Sequence, residues 1–268
     1  MLKSSQEKGW ILYMSEKANV YFSKEISPEK VLEMYQLLGK KLDGKVAIKL
    51  HSGEAGNQNF LKPEFWKPVI DYVGGTIVEC NTAYEGERNT TAKHKKTLEA
   101  HGWSRYFKVD LLDAEGPDLE LAIPNGKVIQ KNFVGKDLAD YDSLLVLSHF
   151  KGHAMGGFGG ALKNISIGIA SSAGKAWIHT AGKTKTDLWN NLPEQDHFLE
   201  SMAEAAKAVT THCGENILYI SVMNRLSVDC DCDSNPEEPK MADIGMLASF
   251  DPVALDKACV DLVYASPD

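Results

Sequence analysis

The chain lacks any apolar run long enough to cross a bilayer. Its longest, SLLVLSHF and ILYISVM, stop far short of the roughly 20 residues that a spanning helix needs. The N-terminal MLKSSQEKGW has neither the apolar core nor the small-residue cleavage site of a secretory signal, so a soluble, cytoplasmic protein without a membrane partner is expected. Basic residues are in deficit, 29 against 37 acidic for a formal charge of −8, and this argues against a nucleic-acid partner, whose phosphates need concentrated Lys and Arg. Cysteines number five, an odd count without the spacing of a disulfide framework, which leaves free thiols or metal ligands. Repeats, low-complexity tracts and linkers are absent as well. No capping glycine follows the amphipathic segment before Asp268, and further C-terminal residues are expected there.

What is present is the composition of an ordinary globular protein, 43% hydrophobic and 25% charged, in a chain of 268 residues. That length suffices for one large domain or two intimately packed subdomains, and a single α/β domain over 1–268 is the simpler expectation. Strands and helices alternate along it. Ser27-Pro28-Glu29 opens a helix closed by Gly44, and KVAIKL (Lys45–Leu50) follows as a strand. Next come a helix over Pro63–Val73, a strand over Thr76–Cys80, a helix over Thr90–His101 ended by Gly102, and a strand around Tyr106–Leu111. Pro124-Asn125-Gly126 reads as a hairpin turn between Leu119–Ile123 and Lys127–Gln130. Tyr141–Phe150 is apolar enough to be buried on both sheet faces. A helix over Asp196–His212, strands over Asn216–Met223 and Ile244–Ser249, and a helix over Pro252–Val263 capped by Asp251 complete the pattern. The expected fold is therefore α/β, a mostly parallel or mixed sheet with helices on both faces. Sites in such sheets gather at the carboxyl ends of strands, which directs attention to His51–Glu54, Asn81–Arg88, His149–Lys163 and Asn224–Asp233.

The stretch from His149 to His179 is the expected functional centre. With the residues just beyond it, the stretch carries eight glycines from Gly152 to Gly182, which let backbone approach a ligand, and a helix starting near Gly159–Ala161 would offer its N-terminus to an anion. Three nucleotide motifs fail by one or two residues. A G-x-G-x-x-G from Gly157 meets Leu162, a Walker loop ending at Gly174-Lys175 meets Ile169 and Ala176, and one ending at Gly182-Lys183 meets Trp177. What remains is a set of reactive side chains: His149, Lys151, His153, Lys163, Lys175 and His179. The plain alternative is that the glycines serve tight packing and the His and Lys residues are ordinary surface groups.

VDCDCDSN places Cys230 and Cys232 just after a strand, a C-x-C pair able to supply two ligands to zinc or iron. Its alternating aspartates do not make an EF-hand, because the sixth position is Ser234 and the twelfth Lys240. A solvated acidic turn with incidental cysteines is the other reading.

SHFKGHAMGGFGGALKN, the strand ILYISVM followed by CDC, and DIGMLASFDPVALDKA together resemble the family called domain of unknown function 362, over nearly the whole chain from Lys45 onward. Many of its members carry a ferredoxin-like insert with two iron–sulfur clusters. The corresponding stretch here, Thr180–His197, is short and holds no cysteine, so cluster-based electron transfer does not carry over. A more distant resemblance is to the nickel-pincer lactate racemase family. His153, Lys163 and His179 follow that family's order of histidine, cofactor lysine and second histidine. Glu87-Arg88 stands where the family has a His-Arg pair, and His51-Ser52-Gly53-Glu54 where it has D-x-T-R.

The resemblance implies an enzyme of racemase/epimerase or oxidoreductase type acting on a small anionic, hydroxy-acid-like ligand. It would use a divalent metal (nickel, zinc or iron) or a bound organic cofactor, and could be a homo-oligomer. On this reading His153 is the base, Lys163 the cofactor anchor, and Glu87 stands in the second acid/base position. Arg88, with Gly159, Gly160 and Lys175, receives the anion, and His179, with His149, Cys230 and Cys232, supplies metal ligands. A metal- or cluster-handling accessory protein built on Cys230 and Cys232, and a non-catalytic anion-binding module, are the competing expectations.

Overall fold

A computed structural model of the chain describes residues 18–267. Local sequence sets where most elements begin. After β1 (Val20–Ser23), the Ser27 hydroxyl accepts the Lys30 amide and Pro28 opens α1 (Pro28–Leu37). β2 (Val46–Lys49) is followed by α2 (Pro63–Val73), entered at Pro63 and closed by Gly74 at φ 70°. β3 (Thr76–Glu79) leads to α3 (Thr91–Ala100), capped by the Thr90 side chain. The helical turn α4 (Trp103–Tyr106) then precedes β4 (Val109–Leu111). The hairpin β5 (Leu119–Ala122) and β6 (Lys131–Val134) leads through a 3-10 turn, Lys136–Asp140, into β7 (Ser143–His149).

A small hairpin follows, β8 (Lys151–His153) and β9 (Gly157–Gly159), and then α5 (Ala161–Ser166) and α6 (Ser172–His179). The long helix α7 (Gln195–Cys213) precedes β10 (Ile217–Met223), β11 (Gly245–Ser249) and α8 (Pro252–Tyr264), where Asp251 accepts the amides of Val253 and Ala254.

Seven strands form one sheet in the order β1-β11-β10-β7-β2-β3-β4. β10, β7, β2, β3 and β4 run parallel, while β11 and β1 add antiparallel pairings at one edge. Alternation along the buried strands divides the core. Ala47, Val78, Leu144, Val146 and Tyr219 face a layer from α5, α6, α7 and α8, whereas Ile48, Ile77, Leu145, Leu147 and Ile220 face α1, α2 and Trp103 of α4. The expected α/β architecture, with a mostly parallel sheet between helical layers, is the one observed. Among the described residues no helix is long and apolar enough to cross a membrane.

Three expected elements differ. The first helix stops at Leu37 instead of Gly44, because Gly39 turns to φ 68°, although Leu38 and Leu42 stay buried. Pro124-Asn125-Gly126 does turn, with the Gly126 amide on Ile123 O at 3.1 Å, but Lys127–Gln130 is not its return strand. The amides of Lys127, Val128 and Ile129 are taken by the Glu204 carboxylate of α7, so the two arms rejoin only where Ile123 N donates to Gln130 O at 2.8 Å, and the ladder runs on from Ala122↔Lys131. Of the strand expected around Tyr106–Leu111 only Val109–Leu111 forms, since buried Trp103 commits the preceding residues to a helical turn.

Candidate functional site

The four loops that follow β2, β3, β7 and β10 meet at the carboxyl edge of the sheet, around a cavity of about 80 Å³. Its floor is ionic. Lys49, at the end of β2, places Nζ 2.6 Å from Glu79 Oε2 at the end of β3, and Glu79 Oε1 accepts the Ser52 amide at 2.8 Å. Burial alone would raise the Glu79 pKa, but Lys49, His51, His94 and Arg88 outweigh it and hold the carboxyl well below the usual range.

The walls carry cations. Arg88 is buried and lines the cavity, its Nε held 3.0 Å from Glu54 Oε2. Lys175 lines it too, with Nζ donating to Ala170 O at 2.6 Å, and burial lowers its pKa. Lys163, from α5, sits 3.6 Å from Cys230 Sγ; burial lowers its pKa, but the sulfurs of Cys230 and Cys232 outweigh that and raise it. His179, at the end of α6, donates Nδ1–H to Lys175 O at 2.7 Å and stacks on Phe198. Burial pushes its pKa down to about 4, so near neutral pH the ring is uncharged and its Nε2 lone pair is available. His51 also lines the cavity, with Nδ1 accepting the Gly53 amide at 3.0 Å.

Gly159 and Gly160 reach the cavity edge, but the helix N-terminus beside them is not an open anion site. The first amides of α5, Ala161 and Leu162, already donate to Asp256 Oδ1 and Oδ2 at 2.8 and 2.9 Å. Gly160 is glycine for that reason: a Cβ there would come 2.4 Å from Asp256 Oδ1. Gly168 serves similar packing, since a Cβ would meet Asn164 O at 2.2 Å and Lys49 Cε at 2.7 Å.

Two expected site residues take other roles. Glu87 is exposed and pairs loosely with Lys93 at 3.8 Å, because the turn before α3 directs Arg88 inward and its neighbour outward. His149 lines the cavity but has both ring nitrogens committed, Nδ1 to Asp231 at 3.0 Å and Nε2 to Asn224 O at 2.7 Å. Both nitrogens are thus occupied by protein oxygens, and the ring anchors the loop after β10. Lys151 binds the same Asp231 carboxylate at 2.9 Å. The loop is further tied to residues 51–59: Glu54 N donates to Asp231 O at 2.9 Å, and Asn57 and Asn59 Nδ2 donate to Asp233 O and Glu237 O at 2.8 and 3.1 Å.

This clasp brings Cys230 and Cys232 against His153 at the end of β8, with ligand atoms of the three residues all within 4.8 Å of one another. His153 Nδ1 accepts the amides of Met155 and Gly156 at 3.2 and 2.9 Å, and burial, with Lys163 nearby, takes its pKa down to about 2. The Cys232 hydrogen bond, Lys163 and Lys151 draw the Cys230 thiol well below its ordinary value against the effect of burial. Cys232 lines the cavity, and its thiol shifts upward for the reciprocal reason: it hydrogen-bonds Cys230 and is itself buried.

Sequence reasoning passed over Lys49, Glu79 and Asp231. The signal was there for the first two: a charged residue inside an otherwise apolar strand, in KVAIKL and TIVEC, must find a partner when the strand is central.

Among solved structures, the chain is similar to the lactate racemase apoprotein of Thermoanaerobacterium thermosaccharolyticum (TM-score 0.52, 16% identity, 90% of this chain and 56% of that one). It is also similar to a structural-genomics protein of Thermotoga maritima (TM-score 0.50, 14% identity, 91% of this chain and 60% of that one). At these identities the likeness is one of fold, and the chain spans less than two thirds of either neighbour. No curated protein matches. The family profile named domain of unknown function (DUF362) matches residues 46–261, so it covers every strand and loop that builds the cavity, and the chain belongs to that family.

Proposed function

We propose that the protein is an enzyme that takes a small anionic, hydroxy-acid-like substrate into the cavity at the carboxyl ends of β2, β3, β7 and β10, and works with a bound metal ion. The observation that supports this reading is the convergence of Arg88, Lys163, Lys175 and His179 on one cavity. A buried cluster of cations is costly unless counter-charged, and Glu54 and Glu79 offset only part of it. One water needs about 10–15 Å³ by the same measure, so 80 Å³ accommodates roughly half a dozen heavy atoms, the size of a short carboxylate. With Nε engaged by Glu54, the Arg88 Nη groups are the ones to meet that carboxylate. His179 Nε2, neutral and unprotonated, is placed to accept a substrate proton, and Lys163 supplies positive charge where an oxyanion develops.

An organic cofactor of the kind implied by the racemase resemblance does not fit these residues as they stand. Pockets for such groups run to about 300–1,000 Å³, against 80 Å³ here, and the Lys163 amine expected to anchor one is paired with Cys230. The racemase neighbour therefore supports only the class of substrate, and no step is assigned to an organometallic group.

Calorimetric titration of the purified full chain with lactate, glycolate and inorganic phosphate tests the reading. Saturable binding of a small carboxylate is expected, weakened tenfold or more in Arg88→Met and Lys163→Met, with the second lactate enantiomer appearing by chiral chromatography when one is supplied alone. Absence of carboxylate binding, or binding indifferent to both substitutions, overturns it.

A further inference from the structure

We propose that His153, Cys230 and Cys232 form a three-ligand site for a borderline divalent metal ion of the zinc or nickel class, with its fourth coordination position facing Lys163 and the anion cavity. The three ligands come from two separate parts of the fold, the end of β8 and the loop after β10, and still gather within 4.8 Å. Metal–ligand bonds of about 2.0–2.3 Å require only a modest further contraction of that set. Two sulfurs and one imidazole are the donors this class of ion prefers, and three protein ligands leave a position for water or substrate. Cys213 and Cys259 do not join the cluster, and Cys80 donates instead to Ile169 O at 3.3 Å.

The arrangement couples the ion to the cavity. Lys163 Nζ rests 3.6 Å from Cys230 Sγ and also lines the cavity, while Cys232 lines the cavity itself. An ion bound to the two sulfurs takes over the counter-charge that Lys163 now supplies and releases the ammonium toward the anion, a consequence that rests on the reading of the cavity given above. Binding also has a local requirement. His153 Nδ1 accepts the amides of Met155 and Gly156, which places the ring proton on Nε2. A metal on Nε2 moves that proton to Nδ1 and forces the Met155 and Gly156 amides to find other acceptors.

The test uses chelator-stripped full-length protein titrated with cobalt(II) and then zinc(II). One equivalent of cobalt is expected to bind with sulfur-to-cobalt charge-transfer absorption, to be displaced by zinc, and to switch the His153 tautomer in nitrogen-15 spectra. Cys230→Ser and Cys232→Ser should abolish the absorption, His153→Gln should weaken binding at least tenfold, and Cys213→Ser and His179→Gln should leave it intact. Absence of the absorption, its persistence in Cys230→Ser, or its loss in His179→Gln but not in His153→Gln overturns the site. If a cysteine variant fails to fold, alkylation of the native protein decides: zinc should protect Cys230 and Cys232 but not Cys213, and equal labelling of all three overturns the proposal. Titrating the metal-free protein with carboxylate separates failure of the anion reading from failure of the metal site.

Discussion

Lys49 and Glu79 form an ion pair, 2.6 Å long, that joins the ends of two adjacent parallel strands under the cavity, with both side chains at most 3% exposed. Both groups are shielded from bulk solvent, and each is the other's counter-charge. Glu79→Gln therefore leaves an ammonium ion buried without a counter-charge and should destabilise the fold by about 3–5 kcal/mol. The double variant Lys49→Met/Glu79→Leu should recover much of that loss. Urea unfolding of the three proteins checks the order, and a double variant less stable than Glu79→Gln would contradict it.

Asp256 ties the last helix to the start of α5. Burial lifts its pKa from 3.8 to about 6, against the lowering effect of the Leu162 and Ala161 amides. The folded state then holds a proton at pH values where the unfolded chain has released it. Stability from this group is fully present below about pH 4 and falls as pH rises to about 6, by up to about 3 kcal/mol. Carbon-detected titration of the Asp256 carboxyl should show a midpoint near 6, and Asp256→Asn should flatten that part of the stability profile. A midpoint below 4 would show that the two amides dominate instead.

Asp231 answers both His149 and Lys151. Asp231→Asn removes the counter-charge of Lys151 and the carboxylate that His149 bonds, in a site 1% exposed, and a cost of about 3–5 kcal/mol is expected. Because Asp231 lies between the two cysteines, the same variant should raise iodoacetamide labelling of Cys230. Unchanged labelling would mean that the loop holds its place without the carboxylate.

Glu87→Gln should do nothing. The side chain is exposed and its one ion pair spans 3.8 Å, so stability should stay within about 0.5 kcal/mol and carboxylate binding should not change. Loss of binding in this variant would restore Glu87 to the acid/base position that the racemase pattern implies.

Helix starts were legible wherever a cap or proline announced them: Pro63, Thr90 and Asp251 each mark an observed boundary. The long apolar strands were legible for the same local reason. β1 and the β8–β9 hairpin were not, since strands of four and three residues are defined by their partners more than by their own pattern. In the site, the rule that loops after parallel strands carry function led to Arg88 and Lys163, and the glycine-rich stretch that follows β7 led to Lys175 and His179. It could not tell Glu87 from Arg88, because inward or outward direction is decided by one residue of turn geometry. Nor could it foresee that His149 is committed, since its partners lie 75 and 82 positions further along. The aspartate that occupies the helix N-terminus sits 95 residues from Ala161 and looked like part of a separate motif.

The clasp between residues 51–59 and the loop after β10 has a kinetic consequence. From Asp233 to Lys240 the chain is mostly exposed and is held largely by hydrogen bonds to its carbonyls, each worth about 1 kcal/mol. Such a segment detaches at a small fraction of the free energy that unfolds the sheet. Its amides should exchange with solvent well before those of β7 or β10.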